Sequence, residues 1–216
     1  MPNPWQFWQL ISAALPIGTF QYSQALETAI HEGWVHDLPS ATDWLSGIQR
    51  ESLARVDLPL AAAAFDAWQN QHLEQLIALD LRSQAFRETS ELRAEERAMG
   101  GALRRWADAV DETIPDALEG FTALYAVVAS NAGASKSDAL NGLLWMWQEN
   151  MTLVATKLVP LGHLQAQRML RVIASENESL VAEALALAPS EWGSNTPGLL
   201  HLSAKHEIQP SRLFRS

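Results

Sequence analysis

Two carboxylate–imidazole pairs are the first residues in this chain whose types and spacing could do chemistry. Glu27 and His31 lie four residues apart, and Glu32 and His36 repeat the interval. On a helix that interval brings each pair onto one face, as two ligands for a divalent metal. A nickel-type site needs more than two ligands, and the second pair straddles Gly33. Charged pairs at this interval are also common on solvated helix faces. No metal site is therefore expected. The chain has no cysteine, which excludes disulfides, thiolate ligation and thiol catalysis. It carries neither a Gly-x-x-x-x-Gly-Lys-Ser/Thr phosphate loop nor a His-Glu-x-x-His zinc pattern. No sequence context marks a serine, histidine or aspartate as a nucleophile. No catalytic residue and no cofactor is assigned.

The segment from Lys205 to Ser216 is more informative. Lys205, His206, Glu207, Gln209, Arg212 and Arg215 surround only Ile208, Leu213 and Phe214, which is not the composition of a core helix. Leu213 and Phe214 can fill a pocket while Arg212 and Arg215 bind carboxylates in bidentate fashion, the anatomy of a small binding hot spot. The alternative is that the segment folds back onto its own domain. Pro197 and Gly198 separate it from the preceding helical pattern, so its removal is expected to expose little core. Lys157 interrupts an apolar run, where its methylenes can lie on the core with the ammonium in water, or where it can meet a partner. Leu15-Pro16-Ile17-Gly18 reads as a turn between helices. Such a turn could present Phe20, Tyr22 and Ser23 outward, combining aromatic area with directional bonds.

The elements that must position these residues are helical. Apolar residues recur at helical spacing almost everywhere, and no alternating β-branched run flanked by hairpin turns occurs. Ser40 reads as the N-cap of an amphipathic helix that Pro59 should kink or end. A charged surface helix covers about Glu91 to Ala107, and Pro115 can open a deeply packed helix through Leu118, Phe121, Leu124 and Val128. From Ser137 a long helix runs to Leu158 and is expected to be central; Pro160 and Gly162 break it before another from about His163 to Ser175. The prediction is one all-α domain, a helical bundle over 1–192, with an irregular segment and a partner-binding tail over 193–216. At 216 residues, a single core suffices. No stretch approaches the roughly 20 apolar residues of a membrane span. The first nine residues lack the positive charge of a leader, and Pro16-Ile17-Gly18 is no cleavage site, so a cytoplasmic location is expected. A net charge of −10 disfavours nucleic acid and anionic membranes and favours a protein partner.

Three blocks resemble the UreF family of urease accessory proteins. They are Ala14 to Glu27, with Leu-Pro-Ile-Gly followed by Phe20, Tyr22-Ser23 and Leu26-Glu27; Glu91-Leu92-Arg93 through Met99-Gly100; and Lys157 to Gly162, completed by the ending Lys205 to Ser216. The chain departs from the family pattern at Thr19, His163, Ile208 and Pro210. The resemblance implies a non-enzymatic scaffold that bridges UreD (also called UreH) to the GTPase UreG, as a homodimer, in delivering nickel to apo-urease. It implies partner contacts by Phe20, Tyr22, Ser23, Glu27, Lys157, His206, Glu207, Arg212, Leu213, Phe214 and Arg215. Two rival readings are a helical-bundle metalloenzyme, which would need Glu-x-x-His spacing that the sequence lacks, and a regulator offering Arg212 or Arg215 to the partner GTPase.

Overall fold

The computed structural model describes residues 4–216; Met1 to Asn3, at the head of the stretch read as no leader, lie outside it. The described residues form eleven α-helices and no strand, as the periodicity predicts. They are α1 (Pro4–Leu10), α2 (Leu26–His31), α3 (Leu38–Ile48), α4 (Leu58–Gln69), α5 (Leu73–Ala85), α6 (Ser90–Ala109), α7 (Phe121–Asn131), α8 (Lys136–Leu158), α9 (His163–Ala174), α10 (Asn177–Ala186) and α11 (Pro197–His206). Among the described residues no helix is long and apolar enough to cross a membrane.

Helix α7 is the most enclosed element. Every residue from Phe121 to Ala129 is buried, because a helix that is apolar all round must be covered all round. Helices α4 and α6 flank it, α5 closes the first layer, and α8 carries α9 and α10 on the other side. The long helix α8, expected to be central, keeps Trp145, Leu153 and Lys157 in solvent.

Several boundaries differ from expectation for local reasons. Asp37, not Ser40, caps α3: its carboxylate accepts from the Ser40 amide at 2.9 Å, and Ser40 Oγ accepts in return from the Asp37 amide at 3.1 Å. Pro59 neither ends nor breaks its helix. The chain widens into a π-helix over Gln49–Asp57, and Pro59 falls in the first turn of α4, where a missing N–H is harmless. The Arg55 carbonyl, which a residue other than proline at 59 would have satisfied, accepts from the Gly193 amide at 3.2 Å. Pro115 lies in a loop and α7 starts at Phe121; α8 is capped by Ser135 instead of Ser137.

Helix α6 is not simply a charged surface helix. Glu95 and Glu96 are buried in it, and Gly100 sits so close to the Glu119 carbonyl that a Cβ there would stand 2.1 Å away. Glu96 meets Arg87 in a buried cluster. The guanidinium donates to Glu96 Oε2 at 2.8 Å, to Asp57 of the π-helix and to Thr122 of α7. Burial opposes the Glu96 charge, but Arg87 and the Thr122 amide more than offset this and hold the carboxyl below its usual range. Replacing Arg87 with methionine leaves two carboxylates without their cation. The expected loss is roughly 3–5 kcal/mol of unfolding free energy, read from the urea midpoint, and a midpoint close to wild type would show that the cluster is not structural.

Candidate functional site: the docked C-terminal segment

Gly18 takes a left-handed φ of 76° and turns the chain into one 3-10 turn, Thr19–Gln21. Phe20 stands out of that turn, 57% exposed. Tyr22 and Ser23 then turn inward and are buried. Gln24 and Ala25 follow with φ of 46° and 62°, left-handed conformations that side chains bearing a Cβ adopt at a cost. Helix α2 starts directly afterwards and carries Glu27 in its first turn.

The predicted irregular tail is partly helical: Pro197 opens α11 instead of separating the tail from the body, and His206 in its last turn is fully buried. Pro197 is at home there because the first turn needs no donor. His206 Nδ1 lies 2.6 Å from Glu91 Oε2, and Nε2 lies 3.5 Å from Glu27 Oε2. Glu207 accepts from the amide and hydroxyl of Ser90 at 2.9 and 2.6 Å, and the Ser90 hydroxyl holds its carboxyl below the usual range.

Beyond α11 the segment runs through a turn and a series of bends, and its end lies against residues 21–23. The Arg215 amide donates to the Gln21 carbonyl at 2.8 Å, and the Ser23 amide donates to the Ser216 carbonyl at 2.9 Å. Burial alternates along its last four residues: Leu213 and Arg215 face water, while Phe214 and Ser216 are buried. Glu27 fixes the register, its two oxygens accepting from the Leu213 and Phe214 amides at 2.8 and 2.9 Å. Arg212 reaches Glu91 Oε1 at 2.6 Å. Lys157 of α8 places its ammonium 5.9 Å from the rings of both Phe20 and Phe214, within cation–π range.

All eleven residues named from sequence thus meet at one place, though not all face outward. Phe20, Lys157, Arg212, Leu213 and Arg215 are exposed; Tyr22, Ser23, His206 and Phe214 are interior and hold the segment down. The expectation that losing residues 205–216 exposes little core is overturned, since His206, Phe214 and Ser216 are buried. The carboxylate–imidazole pairs are also accounted for. Glu27 is engaged by the tail, and Glu32 pairs with Lys205 at 2.7 Å. Among the described residues no group of three or more His, Asp or Glu side chains could hold a metal.

Glu91, Glu95, Gln24 and Trp147 belong to the site and were not singled out from sequence. Gln24 Nε2 donates to Glu95 Oε1, Trp147 Nε1 donates to Gln24 Oε1 and Ser216 Oγ donates to Glu95 Oε2, each at 2.7 Å. Their partners lie far away along the chain, so only the presence of Gln24, Glu91 and Glu95 within the family-like blocks pointed to them. Beside this network is a cavity of about 100 Å³, lined by Gln24, Asp57, Arg87, Glu95, Glu96 and Trp147 among others, into whose surroundings Asp57 brings a buried oxygen with no partner.

A family model described as UreF matches residues 35–174. The urease accessory protein UreF of Chromohalobacter salexigens is 41% identical over 213 residues, covering 96% of this chain and 92% of that protein. Those of Alkalilimnicola ehrlichii and a Marinomonas species are each 40% identical, covering 98% and 96% of this chain and 95% and 92% of their own lengths.

Replacing Glu27 with alanine leaves the Leu213 and Phe214 amides without their acceptor, while His206 keeps its contact with Glu91. Hydrogen bonds to a charged group are worth about 1.5–3 kcal/mol each, so residues 207–216 should detach while the circular dichroism spectrum stays helical. Hydrogen exchange checks this, and unchanged protection of the tail would remove Glu27 from its anchoring role.

Proposed function

Because the chain belongs to the UreF family of urease accessory proteins, we propose that it serves urease maturation as a non-catalytic scaffold. In this reading it bridges UreD (UreH) to the GTPase UreG, as a cytoplasmic homodimer, and the assembly delivers nickel to apo-urease. Nickel is cargo, and GTP hydrolysis is the partner's chemistry. The observation that supports the reading is convergence. Three sequence blocks hundreds of atoms apart along the chain build one mixed surface, in which Phe20, Lys157, Arg212 and Leu213 face solvent around a docked segment.

That surface has the composition of a binding patch. Leu213 is 67% exposed and Ile208 is 82% exposed, and Phe20 and Arg212 are exposed as well. Apolar anchors ringed by polar groups that exclude water are how small hot spots gain affinity. Tyr22, Ser23, Glu27, His206, Glu207 and Phe214 contribute to the partner contact in this reading by fixing the conformation of the segment. The arrangement also favours a scaffold over an arginine supplied to the GTPase. Arg212 is already bonded to Glu91, and Arg215 bonds Tyr22, so either would have to leave its partner before it could act elsewhere.

The test is co-purification with UreD and UreG, followed by nickel-dependent activation of apo-urease with and without this chain. Leu213→Ala and Ile208→Ala remove only exposed side chains, so they should leave the fold intact. At least one should weaken UreD capture by roughly 2 kcal/mol, as truncation of a hot-spot residue does. Undiminished capture by the double variant would place the interface elsewhere. The isolated chain should neither hydrolyse GTP nor bind nickel tightly; turnover that co-purifies with it, or a submicromolar one-site nickel isotherm, would overturn the scaffold reading.

A further inference from the structure

We infer that the outer face of α9 is a docking surface for an acidic, amphipathic segment of a partner protein, whose carboxylates meet Arg168 and Arg171 and whose apolar side chains lie on Leu164 and Val172. The surface is a property of this chain alone. Which member of the maturation assembly carries the segment rests on the scaffold reading above.

Helix α9 carries apolar side chains on two sides. Ala166, Met169, Leu170 and Ile173 are buried, and the helix packs on α8 and α3. Directly opposite, Leu164, Arg168 and Arg171 follow one another at intervals of four and three residues and so share the outer face, with Val172 at its edge. Leu164 is 79% exposed and Val172 is 53% exposed. The face therefore offers apolar area one turn before and one turn after Arg168.

The cations single this face out. Among the described residues, Arg168 and Arg171 have no hydrogen bond, ion pair or ring contact, and both are exposed. Elsewhere the basic side chains are mostly engaged within the molecule: Arg50 with Glu176, Lys136 with Asp66, Lys205 with Glu32 and Arg212 with Glu91, and Arg82 with the Trp192 ring. Arg105 on α6 also lacks a partner but has no second cation beside it. The helix dipole accounts for Arg171, which lies in the last turn of α9. It does not account for Arg168 in mid-helix, where a like charge one turn away disfavours the helix.

The chemistry of the occupant follows from charge complementarity. A guanidinium takes a carboxylate in bidentate fashion, and arginine beside apolar anchors is the composition of a binding hot spot. A second copy of this chain, related by a twofold axis through the stripe, would set arginines against arginines. An anionic membrane would meet the rest of an acidic body, with its net charge of −10. An acidic protein segment satisfies both arginines and covers both apolar side chains.

The probe is a synthetic helical peptide with two glutamates three residues apart, flanked by leucines. It is titrated into the full chain and followed by amide NMR, with a lysine counterpart as control. Shifts should centre on residues 164–172, arise only with the glutamate peptide, and diminish between about 50 mM and about 300 mM salt as screening grows. Arg168→Glu combined with Arg171→Glu should lower the affinity by roughly tenfold or more. Neither side chain has a partner to lose, so the circular dichroism spectrum and urea midpoint should stay at their wild-type values. Absent shifts, shifts centred elsewhere, or an equal response to both peptides would overturn the inference. So would a dimer that the double variant dissociates in sedimentation, which would make the occupant a second copy, or binding to phosphatidylserine vesicles that the double variant loses. Where the chain captures UreD and UreG, the double variant should weaken capture of at least one of UreD, UreG and apo-urease, and undiminished capture of all three would also overturn it. If the peptide docks on α9 while the wild-type chain captures neither UreD nor UreG, it is the scaffold reading that fails.

Discussion

One guanidinium sits where the architecture has to close. Arg87 leaves the connection between α5 and α6 and binds the π-helix through Asp57, α6 through Glu96 and α7 through Thr122. A single buried cation surrounded by carboxylates is costly to desolvate and is tolerated only when every partner is in place. Its net contribution to stability is therefore modest, but its demand on geometry is strict. The same demand runs outward: Asp80, on α5, accepts from the Glu119 and Gly120 amides at 3.0 and 2.8 Å and so fixes the loop that starts α7. The close approach at Gly100 follows from the same packing.

The C-terminal segment depends on that frame at second hand. Glu91 and Glu95 project from α6 one turn apart, and the position of α6 is what Glu96 and Arg87 determine. From there Glu91 meets His206 and Arg212, and Glu95 meets Ser216 and Gln24. Helix α2 supplies the third carboxylate, Glu27, which is the one that reads the tail backbone. Three acidic side chains on two helices thus receive the basic and amide-rich end of the chain. The contrast between an acidic body and a basic tail, visible in composition, is satisfied within the molecule before any partner arrives.

Helical class and the positions of α3, α6, α7, α8 and α9 were legible because a 3.6-residue apolar period needs only local sequence, while α5, α10 and α11 were not assigned. The misplaced caps at Asp37 and Ser135 were errors of one turn or less, where two polar residues competed for the same role. The π-helix before Pro59 was illegible, since a proline in an apolar run is equally compatible with a kink, a break or a first-turn position. The burial of Glu95 and Glu96 was hidden because charged residues three or four apart look like a solvated face. Only the contact with Arg87, supplied by another element, reverses that reading. Within the tail, composition distinguished a contact segment from a core helix, but it could not say whether the contact was internal, and the structure makes it internal for Phe214 and external for Leu213.

That division resolves an apparent conflict between folding back and binding out. A free dodecapeptide would lose conformational entropy on meeting any partner, and that cost would be subtracted from the affinity of every contact it made. In the docked segment Phe214 and Ser216 are buried while Leu213 and Arg215 lie in solvent. Backbone pairing with residues 21–23 and the Glu27 carboxylate then hold that orientation. Internal docking and external presentation are therefore the same structural event, and each interior contact of the tail lowers the entropic cost of using its exposed side chains.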